Sequence, residues 1–311
     1  MPDIPTVAVI MSTYNGEKYL REQIDSILAQ EGVNVELYIR DDGSSDRTRD
    51  IIAGYTERFG NVHAEYGKNV GIGRSFMNML TSADDWEYYA FSDQDDYWEH
   101  DKLSQAVRLV RNKEESIGNN SPILYYSNVN VTDEKLNIIR KSSLEKRVHS
   151  IASAVMRRAI PGCTMMMNAR ARQLIILHPI TDDMLGHYHD SLIVSMVYAF
   201  GGEVICDPEA YMRYRQHGDN SEGSPIGIIG RLKKEWRYIR KNGGKEPKIA
   251  QSILDGWATD VDPKQRATLE IIAGYRRNPI SRLKIVFSPA FRTGDWRLTL
   301  LGKAKALLGL I

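Results

Sequence analysis

A chain of 311 residues with 42% hydrophobic and 26% charged side chains can bury a full core, which excludes a disordered protein and a small disulfide-stapled one. The net charge is only +1, but residues 225–311 hold 18 Lys or Arg against 7 Asp or Glu, whereas residues 1–224 hold 23 against 33. A body of net −10 joined to a tail of net +11 points to a catalytic body with a basic element that has its own partner.

In chain order, residues 7–11 are a short apolar run that ends in Ser12, Thr13, Tyr14, Asn15 and Gly16, which reads as a buried strand followed by a turn. Tyr19, Leu20, Ile24, Ile27 and Leu28 recur at helical spacing until Gly32 stops the pattern. Residues 35–40 form the next strand. It runs into Asp41, Asp42, Gly43, Ser44, Ser45 and Asp46, where Ser44 or Ser45 can cap a helix reaching about Phe59. A weaker strand at 62–66, a helix after Gly71, an apolar strand at 87–91, a helix from Asp101 and a strand at 123–127 complete the series. Such alternation predicts an α/β fold, a mostly parallel sheet covered by helices on both faces.

Three polar clusters then fall at successive strand ends: residues 12–15, 41–46 and 93–96. The last of them has three carboxylates, Asp93, Asp95 and Asp96, within four residues. Anions so close repel one another and are costly to desolvate, which favours a bound cation beside them. The alternative is a solvated acidic turn with Asp96 or Asp101 capping the following helix. Asp41 can accept the N3 proton of a pyrimidine base, and Gly43 permits a tight turn around a nucleotide; an ordinary capped turn has the same composition. Lys68, Asn69, Gly71, Gly73 and Arg74 form a glycine-rich segment that can bring Arg74 to a diphosphate, without the spacing of a P-loop.

Together, residues 11–16, 40–46, 69–71 and 91–96 resemble the motifs of the family 2 glycosyltransferases of GT-A fold. His189-Asp190 and residues 214–220 are similar to those of the bacterial rhamnosyltransferase branch, so the resemblance covers roughly residues 5–222. It implies a catalytic domain over residues 1–222, with a Rossmann-like sheet, and a basic, mostly helical region over 223–311.

The resemblance also assigns roles. Thr13, Tyr14, Asn15 and Asp41 are expected at the nucleotide base, with Asn69 and Arg74 completing the nucleotide-sugar site. Asp93 is expected toward the ribose or the metal, Asp95 as a direct metal ligand and Asp96 as its neighbour. Oxygen ligands suit Mg²⁺ or Mn²⁺, either of which stabilises charge on a departing nucleotide. His217 is expected to complete the metal site, and Arg215 to serve phosphate or structure. Asp190, before an apolar helical stretch at 192–200, is expected as the general base of an inverting transfer, with helix capping as its alternative role. The implied donor is dTDP-rhamnose. UDP-hexoses stay open, because Asp41 would meet the same N3 proton on uracil and thymine. The implied acceptor is a saccharide or lipid-linked saccharide of a surface polysaccharide, and a non-catalytic nucleotide-sugar-binding scaffold is the competing reading.

After Pro225, helices of mixed basic and apolar character are expected at 226–241, 249–257 and 296–311. Leu298, Leu301, Ala304, Lys305 and Leu308 suggest an apolar stripe suited to an anionic membrane interface, to the chain's own body or to a second copy in a homo-oligomer. The acidic body and the absence of a recognised module argue against nucleic acid. Cys163 and Cys206 stand far apart, in no metal-type spacing, and read as buried small side chains in a reducing compartment. Residues 1–6 do not read as a signal peptide and no window reaches bilayer length, so the expected location is the cytoplasm, with peripheral contact at the inner face of the membrane.

Overall fold

The computed structural model describes residues 4–118, 120–146, 150–156, 160–185, 189–217, 245–257, 259–292 and 296–309. Its first half alternates as expected: β1 (Thr6–Thr13), α1 (Leu20–Leu28), β2 (Asn34–Asp41), α2 (Thr48–Arg58), β3 (Val62–Tyr66), α3 (Ile72–Ser82) and β4 (Tyr88–Ser92). There follow β5 (Tyr97–Trp98), α4 (Lys102–Ile117), β6 (Ile123–Thr132), β7 (Ile138–Lys141), α5 (Ile151–Met156), β8 (Met165–Asn168), α6 (Ala169–Leu177), α7 (Asp182–Leu185), α8 (His189–Ala199) and β9 (Glu203–Arg215). The tail contains α9 (Lys245–Gly256), α10 (Pro263–Gly274), α11 (Pro279–Phe287) and α12 (Trp296–Leu307). The expected helix at 226–241 and residues 218–220 of the second motif lie outside the described residues.

One sheet organises the body, in the order β3-β2-β1-β4-β8-β6-β9-β5, with β7 paired to β6. β1 pairs in parallel with both β2 and β4, and β2 with β3. The three methionines at residues 165–167 are buried in the core and begin β8, a fully buried strand antiparallel to β4 and β6. Alternation along β1 builds two cores, as a pleated strand with both faces covered must. Val7, Val9 and Met11 pack with Leu20, Ile24 and Ile27 of α1 on one face. Ala8 and Ile10 pack with Phe76 and Leu80 of α3 and Ile193 of α8 on the other.

The chain runs outward from β1 through β2 to β3, then returns to place β4 on the opposite side of β1. This reversal opens a crevice between the C-terminal ends of β1 and β4, where open α/β sheets bind ligands. The register puts Thr13 beside Asp41 and Met11 beside Ser92, so all three polar clusters share that rim.

The C-terminal helices join the second of these cores. Ile253, Trp257, Leu269, Ile272 and Tyr275 are buried in the same cluster as α8. In α12 the buried position is Ala306, whereas Ala304 and Leu308 of the expected stripe face solvent. The side chains of Leu298 and Leu301 lie outside the described residues.

Candidate active site

Three loops meet at the rim, each locked by its neighbours. After β1, Asn15 adopts φ 49°, a left-handed conformation that asparagine tolerates. Its N–H donates to Ser44 Oγ at 2.9 Å, and its Oδ1 accepts from the Ser45 N–H at 2.9 Å. Ser44 and Ser45 therefore hold the β1 loop and do not cap the helix, which begins at Thr48. Gln94 of the acidic turn accepts from the Tyr14 N–H at 2.9 Å and donates to the Tyr14 carbonyl at 3.1 Å. A Cβ at Gly16 would come within 2.5 Å of Gln94 Oε1, so a side chain there would displace the Gln94 amide from its hydrogen bonds to Tyr14. Thr13 is buried beneath this loop, and the Tyr14 side chain stands half-exposed above it.

Adjacent carboxylates divide the second loop between them. Asp41 is fully buried and accepts from the Gly43 and Ser44 N–H groups and from Arg49 Nε at 2.7 Å. Asp42 accepts from Arg40 Nη1 and from the Val70 and Gly71 N–H groups, both at 2.9 Å, and so ties the loop bearing Asn69 to the end of β2. Gly43 has φ 87°, and a Cβ there would lie 2.9 Å from the Asn69 backbone nitrogen. Gly43→Ala is therefore expected to destabilise the protein by about 1–3 kcal/mol, read as a shift of the denaturant midpoint, through strain and a backbone clash together. An unchanged midpoint would show that this loop gives way freely. Arg74, in the first turn of α3, points Nη1 at the Ile180 carbonyl at 3.5 Å.

Within the acidic turn, the three carboxylates have different surroundings. Asp96 is buried; its Oδ1 accepts from the Arg215 N–H at 3.1 Å, and among the described residues its Oδ2 has no hydrogen-bond partner. Asp93 is partly buried, and ligand atoms of Asp93, Asp96 and Cys163 lie within 4.8 Å of one another. Burial, then the charge of Asp95, pushes Asp93 up to about 7, with a smaller contribution from Asp190; the neighbouring Cys163 thiol opposes the rise. Burial and the charges of Asp95 and Asp93 likewise drive Asp96 well above the ordinary carboxylate range. Asp101 sits at the N-terminus of α4 without a capping hydrogen bond, and Asp96 is turned inward, so neither carries out the helix-capping alternative.

The end of β9 closes this cluster from the other side. His217 Nε2 lies 2.8 Å from Asp95 Oδ2, and the ring packs on Tyr19 at 5.0 Å between centroids. Arg215 is buried: its Nε donates to the Asp95 carbonyl at 2.8 Å and its guanidinium reaches the Glu134 carbonyl and the Glu22 carboxylate. Of the two roles open to Arg215, these partners give it the structural one. Asp190 occupies the second position of α8, where its Oδ1 accepts from the Ser191 N–H. His189 beside it stacks on Phe76 at 4.0 Å, and Gly162 approaches so closely that a Cβ there would lie 2.6 Å from His189 Nε2. The Pro161-Gly162-Cys163 segment thereby seats Asp190 against the acidic turn, close enough for its charge to act on Asp93.

Several of these partners carry no local signature. Cys163 and Lys102 come from distant elements. The Lys102 ammonium is buried over the Trp98 ring at 4.0 Å; burial pulls it down to about 8 against the opposing charges of Cys163 and Asp96. Gln94, between two aspartates, is the one that its position in the motif could have flagged.

The donor set fits a divalent cation. Burial, then the charges of neighbouring carboxylates, holds Asp93 and Asp96 up in pKa, and among the described residues the buried Asp96 Oδ2 has no hydrogen-bond partner. Burial pushes the Cys163 thiol well up, so it stays protonated, and the Asp93 and Asp96 carboxylates beside it are oxygen donors suited to a hard cation, whereas Asp95 and His217 pair with each other.

The fold is that of the GT-A glycosyltransferase structures. Among solved structures, TarS 1–349 of S. aureus in complex with UDP-GlcNAc is similar at TM-score 0.58 and 16% identity, over 97% of this chain and 81% of that one. The mannosyltransferase PcManGT of Pyrobaculum calidifontis, in complex with GDP-Man and Mn²⁺, is similar at TM-score 0.52 and 17% identity, over 99% and 88%. Residues 8–174 match the family model for glycosyl transferase family 2, and the chain belongs to that family. The dTDP-rhamnosyl transferase RfbG of Shigella flexneri is 27% identical to it over 256 residues, 79% of this chain and 85% of its own.

Proposed function

We propose that the protein transfers one sugar with inversion from a nucleotide-sugar, L-rhamnose from dTDP-rhamnose, to a saccharide or lipid-linked saccharide of a bacterial surface polysaccharide. One observation supports this reading: Gly162 abuts His189 and Asp190, and the next residue, Cys163, lies with Asp93 and Asp96, so Asp190 is beside the acidic turn. On this reading Asp190 is the proton acceptor across from the donor's diphosphate.

Tyr14, with Thr13 and Asn15, borders the base, and Asp41, already fixed by two backbone N–H groups and Arg49, receives the N3 proton of a pyrimidine. Asn69 and Arg74 flank the diphosphate side. Asp93, Asp95 and His217 would hold Mn²⁺ or Mg²⁺, with Asp96 beneath them. Such an ion, when bound, stabilises the negative charge of the nucleotide diphosphate as it departs. Asp190 takes the proton of the acceptor hydroxyl while its oxygen bonds to the anomeric carbon and the carbon–oxygen bond to the diphosphate breaks. The attack comes from the face opposite the leaving group, so the configuration inverts.

A UDP-hexose donor is the second reading, favoured by the likeness to TarS in complex with UDP-GlcNAc. Donor hydrolysis, which needs no acceptor, separates the two. With Mn²⁺, dTDP-rhamnose is expected to be cleaved fastest in a panel with UDP-hexoses, and EDTA is expected to abolish cleavage. Faster cleavage of a UDP-hexose would move the donor assignment, and EDTA-insensitive cleavage would remove the metal.

A further inference from the structure

The last two helices expose an apolar face. Ile280, Leu283 and Phe287 follow helical spacing along α11 and are 61%, 49% and 78% exposed. Leu300, Leu307 and Leu308, in and just after α12, are 63%, 49% and 70% exposed. The two helices pack on each other, and Gly309 lies against the Arg282 guanidinium, so the end of α12 meets the start of α11. Arg276, Arg277, Lys284 and Arg292 are exposed around them. Across residues 276–309 there are eight Lys or Arg and one Asp.

We infer that this antiparallel helix pair docks the protein on an anionic lipid surface, with Phe287 and the leucines inserted among the acyl chains and the basic side chains at the headgroups. Charge decides between occupants. A two-fold interface between copies would set this patch against itself, bringing the exposed Arg276, Arg277, Lys284 and Arg292 onto the same four cations of the second copy. A polyanion without apolar surface would leave the exposed Phe and Leu row in water. An anionic bilayer matches both properties. None of the described helices is long and apolar enough to cross a membrane, so the pair lies in the interface. The attachment also bears on the catalytic rim. α11 packs on α10, α9 and α10 pack on α5, α10 packs on α8, and Asp190 lies in the first turn of α8, so docking would hold the acceptor side of the site to the membrane. The benefit to a lipid-linked acceptor rests on the transferase reading; the docking surface itself does not.

Flotation of the full chain with vesicles of equal parts phosphatidylglycerol and phosphatidylcholine tests it. The protein is expected to co-migrate at low salt and less at high salt. Phe287→Asp with Leu308→Asp, and separately Arg277→Glu with Lys284→Glu, are each expected to cut partitioning by about tenfold or more while donor hydrolysis stays at the parent level. Both pairs are exposed, so unchanged thermal unfolding checks that the fold survives. Absence of co-migration at low salt, or partitioning untouched by both double variants, overturns the inference. So does a solution dimer that Phe287→Asp splits, since a second copy would then cover the face. Absence of donor hydrolysis by the parent chain, with flotation intact, would count against the transferase reading instead.

Discussion

Asp190→Asn is expected to lower sugar transfer by about 10²–10⁴-fold while nucleotide-sugar affinity stays within about twofold. The substitution keeps the size of the side chain and removes only its capacity to take a proton. An acceptor hydroxyl is a poor nucleophile near neutrality, so loss of the proposed base falls on the chemical step and spares the proposed donor contacts at Tyr14, Asp41 and the acidic turn. The local fold has independent support: His189 is wedged on Phe76 and under Gly162, and neither contact involves the Asp190 carboxylate. Transfer at the parent rate would refute the base assignment. A large loss of donor affinity would instead make Asp190 a binding or structural residue.

Asp95→Ala is expected to weaken Mn²⁺-dependent donor binding by more than the ~10–100-fold that loss of an outer-shell partner costs a metal site. It removes a proposed ligand and the hydrogen-bond partner of His217 at once. Calorimetry with and without Mn²⁺ measures it, and equal donor affinities in the two titrations would sink the ligand assignment. The same carboxylate has a signature without donor. In the fold Asp93 rises from 3.8 to about 7, so the metal-free native state binds a proton that the unfolded chain releases. Its contribution to stability is therefore fully present below about 4 and is lost as pH rises toward 7. A cation favours the ionised form, so Mn²⁺ is expected to raise the melting temperature more at the upper end of that window than at the lower. Asp95→Ala, which removes the second-largest cause of the rise, should flatten the metal-free slope.

The parts of this molecule that read clearly from sequence are those in which one local pattern answers one physical demand. β1, β2 and β4 are apolar runs because both faces of a central parallel strand are buried, and their polar ends mark the rim. β5 is two residues long, and β7 is exposed at all four positions, so neither has a hydrophobic period to detect. β8 is a continuous apolar run too short to distinguish from packing, and nothing local indicates that it inserts between β4 and β6. The site divides in the same way. Asp93, Asp95 and Asp190 stand in contiguous motifs. That Asp42 serves Arg40 and the loop at Val70 while its neighbour Asp41 binds Arg49 and its own turn depends on the direction of successive side chains at a strand end. The meeting of Cys163 and Lys102 with the acidic turn depends on tertiary packing alone.

Arg215 joins four pieces of chain: its own strand β9, the acidic turn at Asp95, the β6–β7 turn at Glu134 and α1 at Glu22. Such cross-bracing keeps mutually repelling carboxylates in position before any substrate or ion arrives. The electrostatic work of gathering them is then done during folding, and little rearrangement energy is left to be spent in each catalytic cycle.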